Sequence, residues 1–382
     1  MNKKKDVYRV GITGSYGGLN LGDEAILQSI IEQLRASLPV EITVFSRNPE
    51  DTLRRHKVEH ALPVRNLAWN EITPEIKKLN LLIFGGGGIL FDAEAKTFLR
   101  EVVIAQEVGV PVMIYAIGTG PLHDPLIQKQ VRICFNKAAA ITVRERSAAK
   151  ILEDIGVKQK IYLTSDPAFL LKAEYLPDGT HSHEMLDGNR CLVGMSIREP
   201  GAAAPDINEE YYHSLLANAA DFMIDRFEAN VVFFPMELKT QDIQLSHSVI
   251  SRMMWAQHAS VIIGEYTSGQ LLTMVGRLTF AIGMRLHFLI FAALQNVPFI
   301  ALPYASKVSG LLSTLGIQMP PLHLVNAGRL ISYIDTSWDK RHLLQRHIEH
   351  AVPEFQRCAR ETNSIAVQLL KEGRFETSLV AI

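Results

Sequence analysis

Short apolar runs separated by amphipathic segments recur along this sequence, and that alternation restricts the fold more than any other feature. Strands are expected at "YRVGIT" (8–13), "EITVFS" (41–46), "LNLLIFG" (79–85), "VPVMIYAIG" (110–118), "AAITVR" (139–144) and "KIYLT" (160–164), with helices over 23–36, 93–107, 125–137 and 147–155. Strands apolar on both faces and joined by helices pair in parallel, with helices covering each side of the sheet. The stretch "LPDGTHSHEMLDGNR" (176–190) breaks the rhythm with turn formers and polar groups and reads as a linker. The alternation then restarts. Strands are expected at "CLVGMSIR" (191–198), "ANVVFFP" (229–235), "ASVIIGE" (259–265), "LTFAIGM" (278–284) and "PFIALP" (298–303), with helices near 208–226, 239–256, 268–276, 287–296 and 306–315. The expected fold class is α/β: two Rossmann-like, doubly wound parallel-sheet lobes, residues 1–175 and 191–335, facing a central cleft at the carboxyl ends of their strands. A helical segment, 336–382, follows.

Composition excludes several classes. The chain of 382 residues is long enough for two domains, and 47% apolar against 21% charged residues allows packed cores and rules out wholesale disorder. A net charge of −1 gives no support to nucleic-acid binding. Cys134, Cys191 and Cys358 form no CxxC pair and fit no zinc spacing, which suits a reducing cytoplasm. No uninterrupted apolar run reaches the ~18 residues of a membrane span, and "MNKKKDVYRVGIT" lacks a signal-peptide core. Lys3, Lys4 and Lys5 allow at most peripheral contact with an anionic membrane at its inner face, and otherwise form a solvated tail.

The strand ends carry the chemistry. "GITGSYGGLNLGDEAIL" (11–27) has the outline of a phosphate loop, yet no Gly-Lys-Ser/Thr follows and the GxGxxG spacing fails. Asn20, Asp23 and Glu24 offer acceptors that suit sugar hydroxyls or proton abstraction; an ordinary helix start with Asp23 near the N-cap explains them equally. "LIFGGGGILFD" (82–92) places four glycines after a buried strand, so Gly87 and Gly88 are expected where backbone approaches a ligand or another chain segment closely. Arg144 and Arg198 end strands in "ITVRERSA" and "GMSIREP", while Asp166 reads as a turn residue before Pro167. In "AIGMRLHFLIFAALQNVPFIALPYASKVSGLL" (281–312), Arg285, His287 and Lys307 gather at strand ends and helix N-termini, an anion site with several charges. "HSHE" (181–184) reads as solvated loop, and no His/Asp cluster has metal spacing.

"GLNLGDEAIL", "IFGGGGILFD", "VRERS" and "GMRLHFLIFAALQNVPFIAL…SKV", in that order over about residues 10–312, resemble the polysaccharide pyruvyl transferase family. The resemblance implies a GT-B-like fold whose C-terminal helix packs back toward the N-terminal lobe. It also implies transfer of pyruvate from phosphoenolpyruvate to a sugar of a cell-surface polysaccharide or its lipid-linked precursor, as a cyclic ketal with release of phosphate. Arg285 and His287 inherit the donor-site role of the family's "RLH" motif, and Lys307 matches a lysine found after the following strand. "YAS" before Lys307 departs from a "YDP"-like pattern.

The chemistry agrees with these residue types. Phosphoenolpyruvate carries a carboxylate and a phosphate and calls for Arg and Lys, which Arg144, Arg198, Arg285 and Lys307 supply. A proton must reach the methylene carbon, a task for His287 as general acid. A carboxylate, Asp23 or Glu24, takes the proton of the attacking hydroxyl. No cofactor or metal is required, because cations can stabilise the phosphate directly. Two rival readings share the fold. A glycosyltransferase using a nucleotide sugar would want a carboxylate such as Glu265 for the ribose, and a non-enzymatic sugar-binding protein would need neither acid nor base.

Overall fold

A computed structural model describes residues 7–64, 66–186, 190–199, 208–237, 242–302, 312, 315 and 326–373. Lys307 and its "YAS" neighbours, the helix expected at 306–315 apart from its residues 312 and 315, and Lys3 to Lys5 lie outside them. The chain divides into two compact units, one of residues 1–19, 23–171 and 355–382, the other of residues 20–22 and 172–354.

The first unit is built on seven parallel strands: β1 (Tyr8–Thr13), β2 (Val40–Ser46), β3 (His60–Pro63), β4 (Leu81–Leu90), β5 (Val112–Thr119), β6 (Ala140–Val143) and β7 (Ile161–Leu163), in the order 3-2-1-4-5-6-7. Helices α1 (Leu21–Ser37), α2 (Pro49–Arg55), α3 (Trp69–Lys77), α4 (Ala95–Phe98), α5 (Arg100–Glu107), α6 (Pro125–Asn136) and α7 (Arg146–Asp154) connect them. Order reverses between β1 and β4, which pair in parallel from Val10 opposite Leu81 to Thr13 opposite Phe84. Ligands of open α/β sheets bind at the carboxyl ends of such a strand pair. Leu82, Phe84, Ile114, Ile141 and Val143 are fully buried in the core beside this point.

The second unit repeats the scheme on five parallel strands, β8 (Cys191–Ser196), β9 (Ala229–Phe233), β10 (Ala259–Val261), β11 (Phe280–Gly283) and β12 (Phe299–Ala301), in the order 10-9-8-11-12. Its helices are α8 (Thr180–His183), α9 (Glu209–Phe227), α10 (Asp242–Ile250), α11 (Ser268–Val275), α12 (Leu286–Leu294) and α13 (Ala327–Asp339); α14 (Arg341–Glu372) runs on from there. Here the reversal lies between β8 and β11, joined through Val193 opposite Phe280 and Ser196 opposite Gly283. Val193, Met195, Phe233 and Phe280 are fully buried beneath it.

Three departures from the sequence reading have physical causes. The "LPDGTHSHEMLDGNR" stretch contains α8, and Glu184 within "HSHE" is buried rather than solvated, because its carboxylate accepts from the Ile263 amide (3.3 Å), the Gly264 amide (3.1 Å) and the Tyr266 hydroxyl (2.8 Å). β4 does not stop before the glycines. It continues through Gly85–Gly88, paired with β5, and its register shifts between Gly88 and Leu90. Finally α2, β3 and α3 form where no element is expected; α3 buries Ile72 and Ile76, one helical turn apart. Asn48 caps α2 by accepting from the Asp51 amide (3.2 Å) with Pro49 in the first turn, and β3 is a half-exposed edge strand.

Candidate functional site

In the first unit, β1 leads into a loop whose Tyr16 turns inward and is fully buried, its hydroxyl donating to the Gly85 carbonyl. Burial, then the negative charges of Asp23 and Glu24, push its pKa well above the usual tyrosine value, so it remains a neutral donor. Glu24 is built into the same loop. Its Oε1 accepts from the Gly17 amide at 2.9 Å, and its Oε2 lies 2.8 Å from His56 Nε2, with both side chains buried. A carboxylate tied down at both oxygens fixes a loop and is poorly placed to accept a substrate proton. Asp23, one residue earlier, is half-buried, and its Oδ1 lies 3.1 Å from the point a Cβ on Gly87 would occupy.

Gly86 and Gly87 hold left-handed backbone at φ +72° and +89°. A side chain at Gly86 would also run into Ile26, 2.0 Å away. Glycine is therefore demanded there by the chain's own packing. Beside Gly88 lies Arg144, whose Nη2 is 3.4 Å from the corresponding Cβ position. Arg144 binds Asp166 (2.6 Å) and Glu145 (3.1 Å) with its side chain buried. Burial works against its charge, yet the two carboxylates hold its pKa above the ordinary value. It is thus a neutralised structural arginine of the first unit rather than a spare cation for a donor. Asp166 does start a turn, accepting from the Ala168 amide at 2.9 Å, but it also anchors Arg144.

In the second unit, β11 ends at Gly283 and Arg285 becomes the residue preceding α12. The guanidinium is pulled aside by carboxylates. Asp242 accepts from Nε at 3.1 Å and again from Nη2, and Glu237 accepts from Nη2 at 3.0 Å. Asp242, buried at the start of α10, also accepts from the Met236 and Glu237 amides, both at 3.2 Å. Sequence reasoning missed both acids, because 43 residues separate Asp242 from Arg285 and no local pattern links them.

His287 sits in the first turn of α12 with its ring close to Gly22. An alanine Cβ at Gly22 would fall 1.9 Å from its Nδ1. The segment carrying Gly22 is fixed on this unit. The Leu21 amide donates to the Met236 carbonyl (2.8 Å), the Leu21 carbonyl accepts from Ser268 Oγ (2.7 Å), and Asn20 bridges Glu237 in antiparallel fashion. Asn20 Oδ1 is turned onto the Gly22 amide at 3.0 Å, a turn contact. Arg198 follows β8 at the neighbouring strand end, its carbonyl accepting from the Tyr212 hydroxyl at 2.8 Å, and the Met284 amide donates to the Ser196 carbonyl at 2.8 Å. Arg198, Arg285 and His287 therefore share the switch point of the second unit, and Asp23, Gly87, Gly88 and Arg144 share that of the first.

The N-terminus of α11 is also occupied by its own chain. Thr267 and Gln270 form a reciprocal cap, Thr267 Oγ1 donates to Glu174, and the Glu174 side chain lies where a Cβ on Gly269 would be. Glu265 is exposed in the preceding loop. Among the described residues no group of three His, Cys, Asp or Glu side chains could hold a metal ion, and no helix is long and apolar enough to cross a membrane.

Comparison with known proteins adds four findings. The family model described as polysaccharide pyruvyl transferase matches residues 20–306. The amylovoran biosynthesis protein AmsJ of Erwinia amylovora is 19% identical over 398 residues, covering 91% of this chain and 96% of that protein. Among solved structures, the S. aureus MnaA–UDP co-structure superposes with a TM-score of 0.66 at 12% identity, covering 95% of this chain and 96% of that one. UDP-GlcNAc 2-epimerase from Neisseria meningitidis bound to UDP-GlcNAc gives 0.66 at 11% identity, covering 96% and 100%. These two likenesses concern the fold, the GT-B-like pairing of Rossmann-type units.

Proposed function

This chain belongs to the polysaccharide pyruvyl transferase family, an enzyme family acting on polysaccharide, and from that premise we propose that it transfers the pyruvyl group of phosphoenolpyruvate to a saccharide, forming a ketal and releasing phosphate. The observation that carries the reading is the placement of Arg285 just before α12 and His287 in its first turn, beside the β8/β11 switch point, where a helix N-terminus, a guanidinium and an imidazole meet. The acceptor is a sugar of a cell-surface polysaccharide, free or lipid-linked, and the enzyme works in the cytoplasm with at most peripheral membrane contact.

In this reading Arg285, Arg198 and Lys307 bind the donor's anionic groups. His287 delivers a proton to the methylene carbon, which leaves positive charge on the adjacent carbon. A sugar hydroxyl adds there and gives up its proton to Asp23. The C–O bond to phosphate then breaks, phosphate departs with the electron pair, and a second hydroxyl closes the ring and releases its own proton. Asp23 is preferred to Glu24 because Glu24 is buried with both oxygens fixed on the Gly17 amide and His56, whereas Asp23 is half-buried and reachable. No cofactor enters the sequence.

A nucleotide-sugar donor is favoured less, because the α11 N-terminus, a natural seat for a diphosphate, faces the Glu174 carboxylate. Incubation with phosphoenolpyruvate and a panel of free and lipid-linked saccharides, read by phosphate release and a new ketal methyl signal in NMR, tests the proposal. His287→Ala is expected to abolish the ketal signal while phosphoenolpyruvate still binds. Turnover within a fewfold of wild type would remove His287 from the mechanism.

A further inference from the structure

Arg285 carries two carboxylates of different character. Asp242 is anchored: its side chain is 2% exposed and it holds the Arg285 Nε, the Arg285 Nη2 and two backbone amides. Glu237 is 30% exposed at its side chain and reaches Arg285 through a single 3.0 Å contact to Nη2. One carboxylate is enough to offset the guanidinium, and a second on the same nitrogen repels the first. From this asymmetry we infer that Glu237 is a stand-in anion, occupying on Arg285 the place that the anionic donor takes when it binds, while Asp242 stays and fixes the plane of the guanidinium.

The inference rests on the donor reading above and adds to it a residue that sets donor affinity. Binding exchanges one carboxylate–guanidinium contact for another, so Glu237 competes with the donor. Glu237 belongs to the stretch whose backbone bridges Asn20, so its release leaves the Asp242-held backbone in place.

The test compares wild type, Glu237→Gln and Asp242→Asn by calorimetric titration with phosphoenolpyruvate and, separately, with inorganic phosphate. Glu237→Gln is expected to tighten anion binding about fivefold, the scale of a partly exposed ion pair removed from competition. Asp242→Asn is expected to weaken binding, because the guanidinium loses its bidentate anchor. A merely structural Glu237 would leave affinity unchanged or lower it, and that result overturns the inference even where wild type binds phosphoenolpyruvate well. Tighter phosphate binding by Glu237→Gln, with phosphoenolpyruvate bound by neither protein, sustains the inference and removes the donor reading. Failure of both anions to bind any of the three proteins overturns the inference.

Discussion

Replacing Gly22 by alanine sets the packing around His287 against the smallest possible perturbation. The added methyl would lie 1.9 Å from Nδ1, 2.4 Å from Cγ and 2.7 Å from Cε1 of the imidazole. The ring or the backbone must retreat by about 1.5 Å to reach ordinary van der Waals separation. The backbone resists, since Leu21 is bonded on both sides, to Met236 and to Ser268, at 2.8 and 2.7 Å. The ring resists too, since α12 is packed by Leu286, Phe288 and Leu289, all buried. Overpacking of this kind costs about 1–3 kcal/mol. A catalytic group displaced by ~1 Å loses roughly a hundredfold in rate. Urea unfolding and the His287 imidazole signals in NMR, assigned through His287→Gln, measure both effects. Gly109→Ala is the control: its φ of +79° is unfavourable for alanine, but nothing lies within 4 Å of the added methyl. It should cost stability by about 1 kcal/mol without moving the His287 signals. A Gly22→Ala protein that unfolds within ~0.5 kcal/mol of wild type and keeps its His287 signals would refute the packing argument, because mutational effects on that scale are ordinary for surface positions.

Other outcomes follow from the same contacts. Asp23→Asn should remove turnover with little change in unfolding free energy, whereas Glu24→Gln should lower stability; the reverse pattern in paired denaturation and turnover measurements would exchange their roles. His56→Ala leaves Glu24 buried without its imidazole partner and should cost about 3 kcal/mol by chemical denaturation. Alkaline pH should unfold the protein. Burial first, and for Tyr16 the Asp23 and Glu24 charges as well, raises Tyr16 and Tyr115, and Tyr266 and Tyr333 are pushed up to about 12. The unfolded chain therefore loses these protons first, so stability is intact below pH ~10 and falls above it by about 1.4 kcal/mol per pH unit for each such tyrosine. Tyr115→Phe should flatten that fall in pH-dependent melts.

Both sheets are legible in the alternation of apolar runs, because strands buried on both faces cannot hide their composition. β1, β8 and β9 end within a residue or two of expectation. The cationic cluster at "GMRLH" is legible for a related reason, since charges directly after a buried strand mark a strand end. What could not be read is long-range pairing. Nothing near Arg144 in sequence announces Asp166 as its partner, and nothing near Arg285 announces Asp242, so the carboxylates that hold the two arginines are not anticipated. Glu24 looks like half of an acidic pair until His56, 32 residues on, is seen against it. The glycines of β4 read as following the strand rather than continuing it, because glycine disfavours strands. The sheet keeps them because neighbouring side chains press on that stretch from the β1 loop and α1.

The four glycines of β4 also imply an ordered tolerance to mutation. A methyl group at Gly85 would meet the Tyr115 carbonyl at 2.5 Å, at Gly86 Ile26 at 2.0 Å, at Gly87 Asp23 at 3.1 Å, and at Gly88 only Arg144 at 3.4 Å. Selection for folding alone should thus purge alanine at the first two positions, strain it at the third through its backbone angle, and let it persist at the fourth. In a saturation library sorted once for expression and once for turnover, Gly88 is the position at which the two sorts can diverge. Depletion of its variants in the second sort but not the first would be the signature of a partner that the folded chain itself does not contain.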